Sequence, residues 1–379
     1  MTTELGILLA ERIAAHGPIT FAEFMDQALY HPQFGYYTAG PERSGWGGDF
    51  ITAPQLDPAF GELWGRALRN LWVDSGRPPR FDLIEVGPGE GGFACGLLGN
   101  IDEDFAEVLH LSLVERAPGL RKRQQERLVA APNVRWFKDL SEVPVMRFGC
   151  VFANEILDNQ PVHLIEGTEG GTVELMVSVD GGALALEAGL PTPAATDFMT
   201  EHGIEPAIGR RLEISPAAQR LVNDLAARVE RGAVVFVDYG STAEQLADRP
   251  EGTLISYSTA GADSDPLARV GQKDLTVFAN WTVVTRTLEA SGLSTAGPLT
   301  QTVVLRSLGA ADLDRRLRDE HIRAAEEKRG RDALRAISRR QALGALLDEG
   351  GLGGLGVVCG LRGMPDSTFP LGADERGPG

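Results

Sequence analysis

The sequence predicts an α/β fold: a parallel sheet with helices on both faces, a helical N-terminal region and an inserted antiparallel hairpin segment. Three observations carry this. Between residues 81 and 154, short apolar runs alternate with helix-patterned stretches. The first run, Phe81-Asp82-Leu83-Ile84-Glu85-Val86, opens directly into a glycine-rich turn. From 162 to 214 the pattern changes to short alternating runs separated by Gly-Gly and Asp-Gly turns.

The elements follow in chain order. Leu5, Leu8, Leu9 and Ile13 recur at helix spacing until Gly17-Pro18 breaks the run, and Thr20 with Glu23 reads as a capping box for a second helix. An aromatic turn segment spans 30–37 and a Gly-rich loop 44–49. One helix is expected over 54–73, with Phe60, Leu63, Trp64, Ala67, Leu68 and Leu71 on one face. Strands are expected at 81–86, 109–115, 134–137 and 150–154, with helices at 93–98 and 117–129 between them. After the hairpins come a helix at 217–229, a strand at 233–238, helical segments near 274–291 and 312–347, and a last strand at 355–361 on the sheet edge. The chain is thus expected to divide into 1–80, a main domain over 81–361 with an insertion at 162–214 and helical segments over 260–350, and a tail over 362–379 whose Pro, Gly and charge predict disorder.

Composition narrows the function. The 379 residues carry 53 acidic and 36 basic side chains, a formal charge of −17, which argues against general binding to a nucleic-acid backbone. No apolar run approaches the ~18 residues of a membrane span. Cys95, Cys150 and Cys359 are far apart and the six histidines form no HxxxH pattern, so no metal site is expected. Residues 1–15 lack a basic-then-apolar layout or an Arg-rich character, so a cytoplasmic location is expected.

The glycine-rich turn carries the chemistry. In an open parallel sheet, ligands lie beyond the carboxyl ends of the strands, where Gly87, Gly89 and Gly92 stand. Their spacing fits a dinucleotide as well as S-adenosylmethionine, and Glu115, ending the next strand, suits a ribose diol in either case. Glu85 tilts the balance: a carboxylate two residues before the first glycine suits an ammonium or a cationic centre and repels a pyrophosphate. Asp139, after the third strand, is a candidate for the adenine amino group. A second polar cluster, Asn154, Glu155 and Asp158, follows the fourth strand, and a helical turn there would put Glu155 and Asp158 on one face.

At these segments the chain resembles a known family. Gly48-Asp49-Phe50-Ile51-Thr52-Ala53-Pro54, Phe60-Gly61-Glu62-Leu63, Glu85-Val86-Gly87-Pro88-Gly89, Val114-Glu115, Ala153-Asn154-Glu155, Asp158, Pro161-Val162, Val237-Asp238-Tyr239-Gly240 and Gly252-Thr253-Leu254 recur in this order in the MidA-like family. That resemblance spans about residues 15–310 and implies a Rossmann-like, class I S-adenosylmethionine-dependent methyltransferase. Mitochondrial relatives in the family methylate arginine on a subunit of respiratory complex I. The resemblance therefore implies a protein substrate, a complex I subunit among the candidates, and a homodimer is a further expectation. Glu85, Gly87 and Gly89 would line the methionine end of the cofactor and Glu115 the ribose. Asp49, Thr52 and Pro54 would close over it, while Asn154, Glu155 and Asp158 would face the substrate. The chain departs from the family pattern at Gln55, Glu90, Phe278 and Asn280. Methylation of a small molecule or another protein side chain, a non-catalytic assembly role that keeps the fold, and a nicotinamide-dependent enzyme are the competing readings.

Overall fold

The structure, a computed structural model, describes residues 3–38, 52–258 and 261–365. The chain forms two compact units. The larger takes residues 51–155, 225–238 and 288–379, and the smaller takes 1–50, 156–224 and 239–287. This division differs from the expected 1–80 and 81–361: helices Glu4–His16 and Phe21–Tyr30 share a unit with the inserted hairpins, while Ala59–Asp74 belongs to the larger unit.

The larger unit is built on seven strands: β1 (Phe81–Val86), β2 (Leu109–Val114), β3 (Val134–Phe137), β4 (Gly149–Asn154), β5 (Gly232–Asp238), β6 (Ser294–Thr300) and β7 (Gly356–Arg362). Their order is β6-β7-β5-β4-β1-β2-β3. The five strands from β5 to β3 are parallel, and β7 and β6 are antiparallel to their neighbours. The sheet is therefore mixed. The last strand lies one place in from the edge, because β6 covers it. No strand is expected at 294–300, where the apolar alternation is poor and Gly297-Pro298 interrupts the pairing between Ala296 and Leu299.

Every residue of β5 is buried, as a central parallel strand requires. At the amino ends of β4 and β5, Gly149 and Gly232 let each backbone approach that of the neighbouring strand. A Cβ on Gly149 would lie 1.8 Å from Asp82 O, and one on Gly232 would lie 1.9 Å from Gly149 O.

The helix expected over 54–73 is two helices, Ala53–Leu56 and Ala59–Asp74. Asp57 and Pro58 break it, and Asp57 Oδ1 accepts the Ala59 N–H at 2.8 Å. The longer helix approaches Gly92–Leu98 closely through glycine: a Cβ on Gly61 would sit 2.6 Å from Phe93 O. Phe93 and Phe152 stack at 4.3 Å, with Phe60 and Trp64 edge-on to Phe152. This aromatic block forms part of the larger unit's core, together with Leu83 and Val235. Helices Ala310–Glu326 and Gly330–Leu346 complete the unit, and Glu62, which is buried, accepts from Arg66, Arg316 and Arg339.

In the smaller unit, Gly171–Asp180 is the central strand of an antiparallel sheet. It pairs with Ile19–Thr20, His163–Thr168 and Ala183–Gly189, and His163–Thr168 also pairs with Arg211–Ile214. Helices Glu4–His16 and Phe21–Tyr30 contribute Leu5, Leu9, Phe21, Phe24 and Leu29 to its core. Thr20 Oγ1 accepts the Glu23 N–H at 3.0 Å, as the capping pattern predicts, and the Glu23 carboxylate pairs with Arg12. The helix expected from 274 begins only at Trp281. Asp274–Thr276 is a strand paired with Ile255–Ser258. Among the described residues, no helix is long and apolar enough to cross a membrane.

Candidate active site

The site is built at the carboxyl ends of β1, β2 and β4 in the larger unit. After Val86 the chain turns through Gly87 (φ 65°), Gly89 (φ 53°) and Gly91 (φ 79°), a left-handed sequence that glycine adopts without a Cβ penalty. The Gly87 N–H donates to Val114 O at 3.0 Å and ties the turn to β2. The segment from Thr52 lies against the turn: a Cβ on Gly92 would meet Pro54 O at 2.3 Å. Thr52 precedes the short helix Ala53–Leu56 without capping it through its side chain. Asp49 lies outside the described residues.

Glu85 and Glu115 end adjacent strands and are both buried. Glu85 stands in register with Phe152 of β4, beside the aromatic block. Burial pushes its carboxyl up to about 8, and the neighbouring Glu115 adds to the rise. Glu85 Oε2 finds no hydrogen-bond partner among the described residues. Burial also pushes Glu115 up to about 7, against the lowering effect of the Ala117 N–H, which donates to its Oε1 at 2.9 Å. A buried carboxylate without a partner is costly, so such groups point to a ligand that supplies the missing donor or cation.

Asn154 and Glu155 close β4. Glu155 holds φ 50°, a strained conformation for a residue with a side chain and one that clusters at functional sites. Its N–H donates to Val237 O at 2.8 Å. Its Oε1 accepts from Asn154 Nδ2 at 2.9 Å and from the Ala53 N–H at 3.4 Å. Asn154 Oδ1 is buried with no partner among the described residues, as is Gln55 Oε1.

One expectation requires correction. No helical turn follows β4: the left-handed Glu155 opens a series of turns, so Glu155 and Asp158 do not share a helix face. Asp158 belongs to the smaller unit, where it is buried and its carbonyl accepts the Val277 N–H at 3.0 Å. Its neighbour Asn159 sits in a buried network, with Tyr37 OH 3.0 Å from Asn159 Oδ1 and 2.9 Å from Asp274 Oδ1. Asp139 is exposed, and its Oδ1 accepts from Ser141 N–H and Oγ at 2.8 and 2.6 Å, which holds its carboxyl below the usual range. It acts as the cap of a short 3-10 turn.

One residue of the site escapes the sequence reading. Gln124, in the basic helix Pro118–Arg127, donates from Nε2 to Gly89 O at 2.7 Å. Its only signal is a pair of glutamines in a run of charge. Glu90 pairs with Arg123 and Arg127 at 3.3 and 3.1 Å, so it braces the turn against the same helix.

Carboxylates at the ends of β1 and β2, a bare-backbone turn and buried acceptors without donors fit a nucleoside that carries an amino-acid end. Residues 63–299 match the family Methyltransf_28, described as "Putative S-adenosyl-L-methionine-dependent methyltransferase". The chain belongs to this family. Its cofactor is S-adenosylmethionine, and the family is one of enzymes.

Protein arginine methyltransferase NDUFAF7 of mouse is 29% identical over 337 residues, 79% of this chain and 73% of its own. The Drosophila homolog is 29% identical over 353 residues, covering 82% and 76%. A Burkholderia thailandensis protein, described as a likely methyl transferase and crystallised with S-adenosyl-homocysteine, superposes with a TM-score of 0.83 at 29% identity. That match covers 97% of this chain and 94% of the other. The mouse and Drosophila proteins are named as mitochondrial, which overturns the cytoplasmic expectation. Residues 1–15 were its only basis, and the absence of one kind of targeting pattern there does not specify a compartment.

Proposed function

We propose that this methyltransferase acts on a protein, at an arginine guanidinium, and that Glu155 is the group that receives it. Support comes from the relatives named as protein arginine methyltransferases and from one structural observation: the Glu155 carboxylate is held by two donors at the end of β4, on a strained backbone. When bound, S-adenosylmethionine supplies a methyl on a cationic sulfur; the acceptor nitrogen forms the new N–C bond, the C–S pair stays with sulfur, and the nitrogen releases one proton.

The chain's residues divide the remaining work. Glu115 accepts from the ribose hydroxyls, Gly87 and Gly89 let the backbone approach the nucleoside, and Glu85 accepts from the ammonium of the amino-acid end. Thr52 and Pro54 cover the turn. A guanidinium with a pKa above ~12 is not deprotonated by a carboxylate in the ground state. Glu155 instead holds it by charge-assisted hydrogen bonds, draws its positive charge to one side and takes up the released proton. Asn154 orients Glu155, and Asp158 fixes the segment that follows it. Two narrower readings accompany this one: a respiratory complex I subunit as an acceptor, and a homodimeric enzyme.

The test is Glu155→Gln, which keeps the shape and removes the charge. S-adenosylhomocysteine affinity should stay within a few-fold of wild type. Transfer of labelled methyl to protein should fall by about a hundredfold or more. Wild-type labelling of protein would remove Glu155 from the mechanism, and label confined to small molecules would overturn the protein substrate.

A further inference from the structure

Tyr239, the residue after β5, and Phe278 form a stacked pair with ring centroids 6.5 Å apart at 29°. The backbone beneath holds them together. Gly240 and Ser241 pair with Ala279 and Asn280, and the Ala279 N–H donates to Tyr239 O at 2.8 Å. The Phe278 N–H donates to Thr253 Oγ1 at 2.9 Å. Both rings keep open surface: Tyr239 is 37% exposed and Phe278 is half-buried. This aromatic ledge already carries a cation. The Arg249 guanidinium lies 4.7 Å from the Phe278 centroid, inside the range of a cation–π contact. Arg249 is exposed and makes no ion pair among the described residues. Arg77 and Arg231 also lie over rings, but those rings, Trp72 and Phe148, are buried. Phe278 further lines a mainly apolar cleft with Asn280, Val222, Val277 and Val283.

The geometry points to a recognition site for a second arginine of the protein substrate, flanking the one that is methylated. Its guanidinium takes the place of Arg249 on the Tyr239–Phe278 ledge, and its methylenes lie against the cleft. This rests on the reading that the acceptor is an arginine in a protein. The planar, weakly hydrated guanidinium stacks on an aromatic face, whereas the lysine ammonium is compact and strongly hydrated. Glu244, Asp248 and Glu251 around Arg249 are exposed, on a chain of formal charge −17, which draws cations. Tyr239 stands two residues after Val237, whose carbonyl accepts the Glu155 N–H. Chain connectivity alone therefore keeps the Tyr239 Cα within about 7 Å of the Val237 Cα. Phe278 is also one of the departures from the family pattern, and the ledge gives that departure a use.

The experiment is fluorescence anisotropy of labelled hexa-arginine and hexa-lysine peptides with the full chain and S-adenosylhomocysteine, at about 0.15 M salt. Wild type should bind hexa-arginine about threefold or more tightly than hexa-lysine, the scale of an exposed cation–π contact. Phe278→Leu keeps the apolar bulk and removes the π face; it should weaken hexa-arginine alone and so abolish the preference. Phe278→Tyr should retain it. Arg249→Ala changes an exposed side chain, which keeps the test independent of folding at Phe278. It should tighten hexa-arginine by about twofold to threefold beyond any gain for hexa-lysine, because the resident guanidinium no longer competes. Equal wild-type affinities, a preference that survives Phe278→Leu, or an equal gain for both peptides in Arg249→Ala would each overturn the site. None of these results touches the methylated arginine itself, a reading that falls separately if label from S-adenosylmethionine enters only small molecules.

Discussion

Asn154 Nδ2 donates to Glu155 Oε1 at 2.9 Å, so the last residue of β4 holds the side chain of the residue after it. The left-handed backbone of Glu155 costs about 1–2 kcal/mol relative to an ordinary turn. The fold maintains it with the bond to Val237 O and the two donors on Oε1. Backbone strain and side-chain fixation therefore act on one carboxylate.

Asn154→Ala should leave S-adenosylhomocysteine affinity within about threefold of wild type and lower turnover about tenfold, since Glu155 Oε1 loses the Asn154 donor. Asn154→Asp should cost more, because a second carboxylate would face the first. Single-turnover transfer of labelled methyl measures both. Equal turnover in the three proteins would show that Glu155 needs no orientation by its neighbour.

Glu85 and Glu115 give the protein an unusual pH dependence. Burial is the main cause in both, and it raises the folded-state values to about 8 and about 7. In the unfolded chain both titrate near ~4.3. Between these limits the folded protein holds more protons, so stability is greatest below ~4.5 for this contribution and declines as pH rises toward 8. Ligand-free protein should show this declining contribution in melts from pH 5 to 8, and Glu85→Gln should flatten the slope. The variant should gain about 1–3 kcal/mol at pH 8 while losing cofactor affinity. An identical slope in variant and wild type would refute the assignment.

Glu62 should be a stability residue. It is buried and accepts from Arg66 at 3.0 Å, Arg316 at 2.6 Å and Arg339 at 3.4 Å, linking helix Ala59–Asp74 to the two C-terminal helices. Glu62→Ala leaves three guanidiniums without their common acceptor and should cost about 2–4 kcal/mol, read as a lower urea midpoint. Any effect on catalysis at a temperature where the variant is folded should be small.

Two glycines should respond in opposite directions. Gly92→Ala forces a methyl to within 2.3 Å of Pro54 O, so the segment over the turn must move, and S-adenosylhomocysteine affinity should fall about tenfold or more. Gly119 lies in helix Pro118–Arg127 with nothing within 4 Å of its added Cβ, and Gly119→Ala should stabilise by up to about 1 kcal/mol. Melting curves and calorimetry on both variants check the pair.

The sequence makes the central sheet legible because its parallel strands are short apolar runs that end in glycine or in polar residues, as Phe81–Val86 and Gly149–Asn154 do. Gln124 carries no such pattern. Its role depends on a turn 35 positions away, and a glutamine beside Arg123 reads as surface. Asp139 is legible as an acid after a strand, but spacing does not show that the same carboxylate also caps the 3-10 turn that follows it. The turn after Asn154 was unreadable because the left-handed state of Glu155 comes from tertiary bonds to Val237 and Ala53, which local propensity does not encode. Strand Ser294–Thr300 escaped because pairing with β7, rather than its own residues, makes it a strand.

The contact between Gly149 and Gly232 gives this protein a built-in gauge of its architecture. With carbonyl oxygens 1.8 and 1.9 Å from where a methyl would sit, neither position tolerates even alanine. In a randomised library selected only for folded protein, both should return glycine alone, while Glu155 should drift. Adding a demand for methyl transfer should then freeze Glu155 too, which sorts positions that build the scaffold from those that use it.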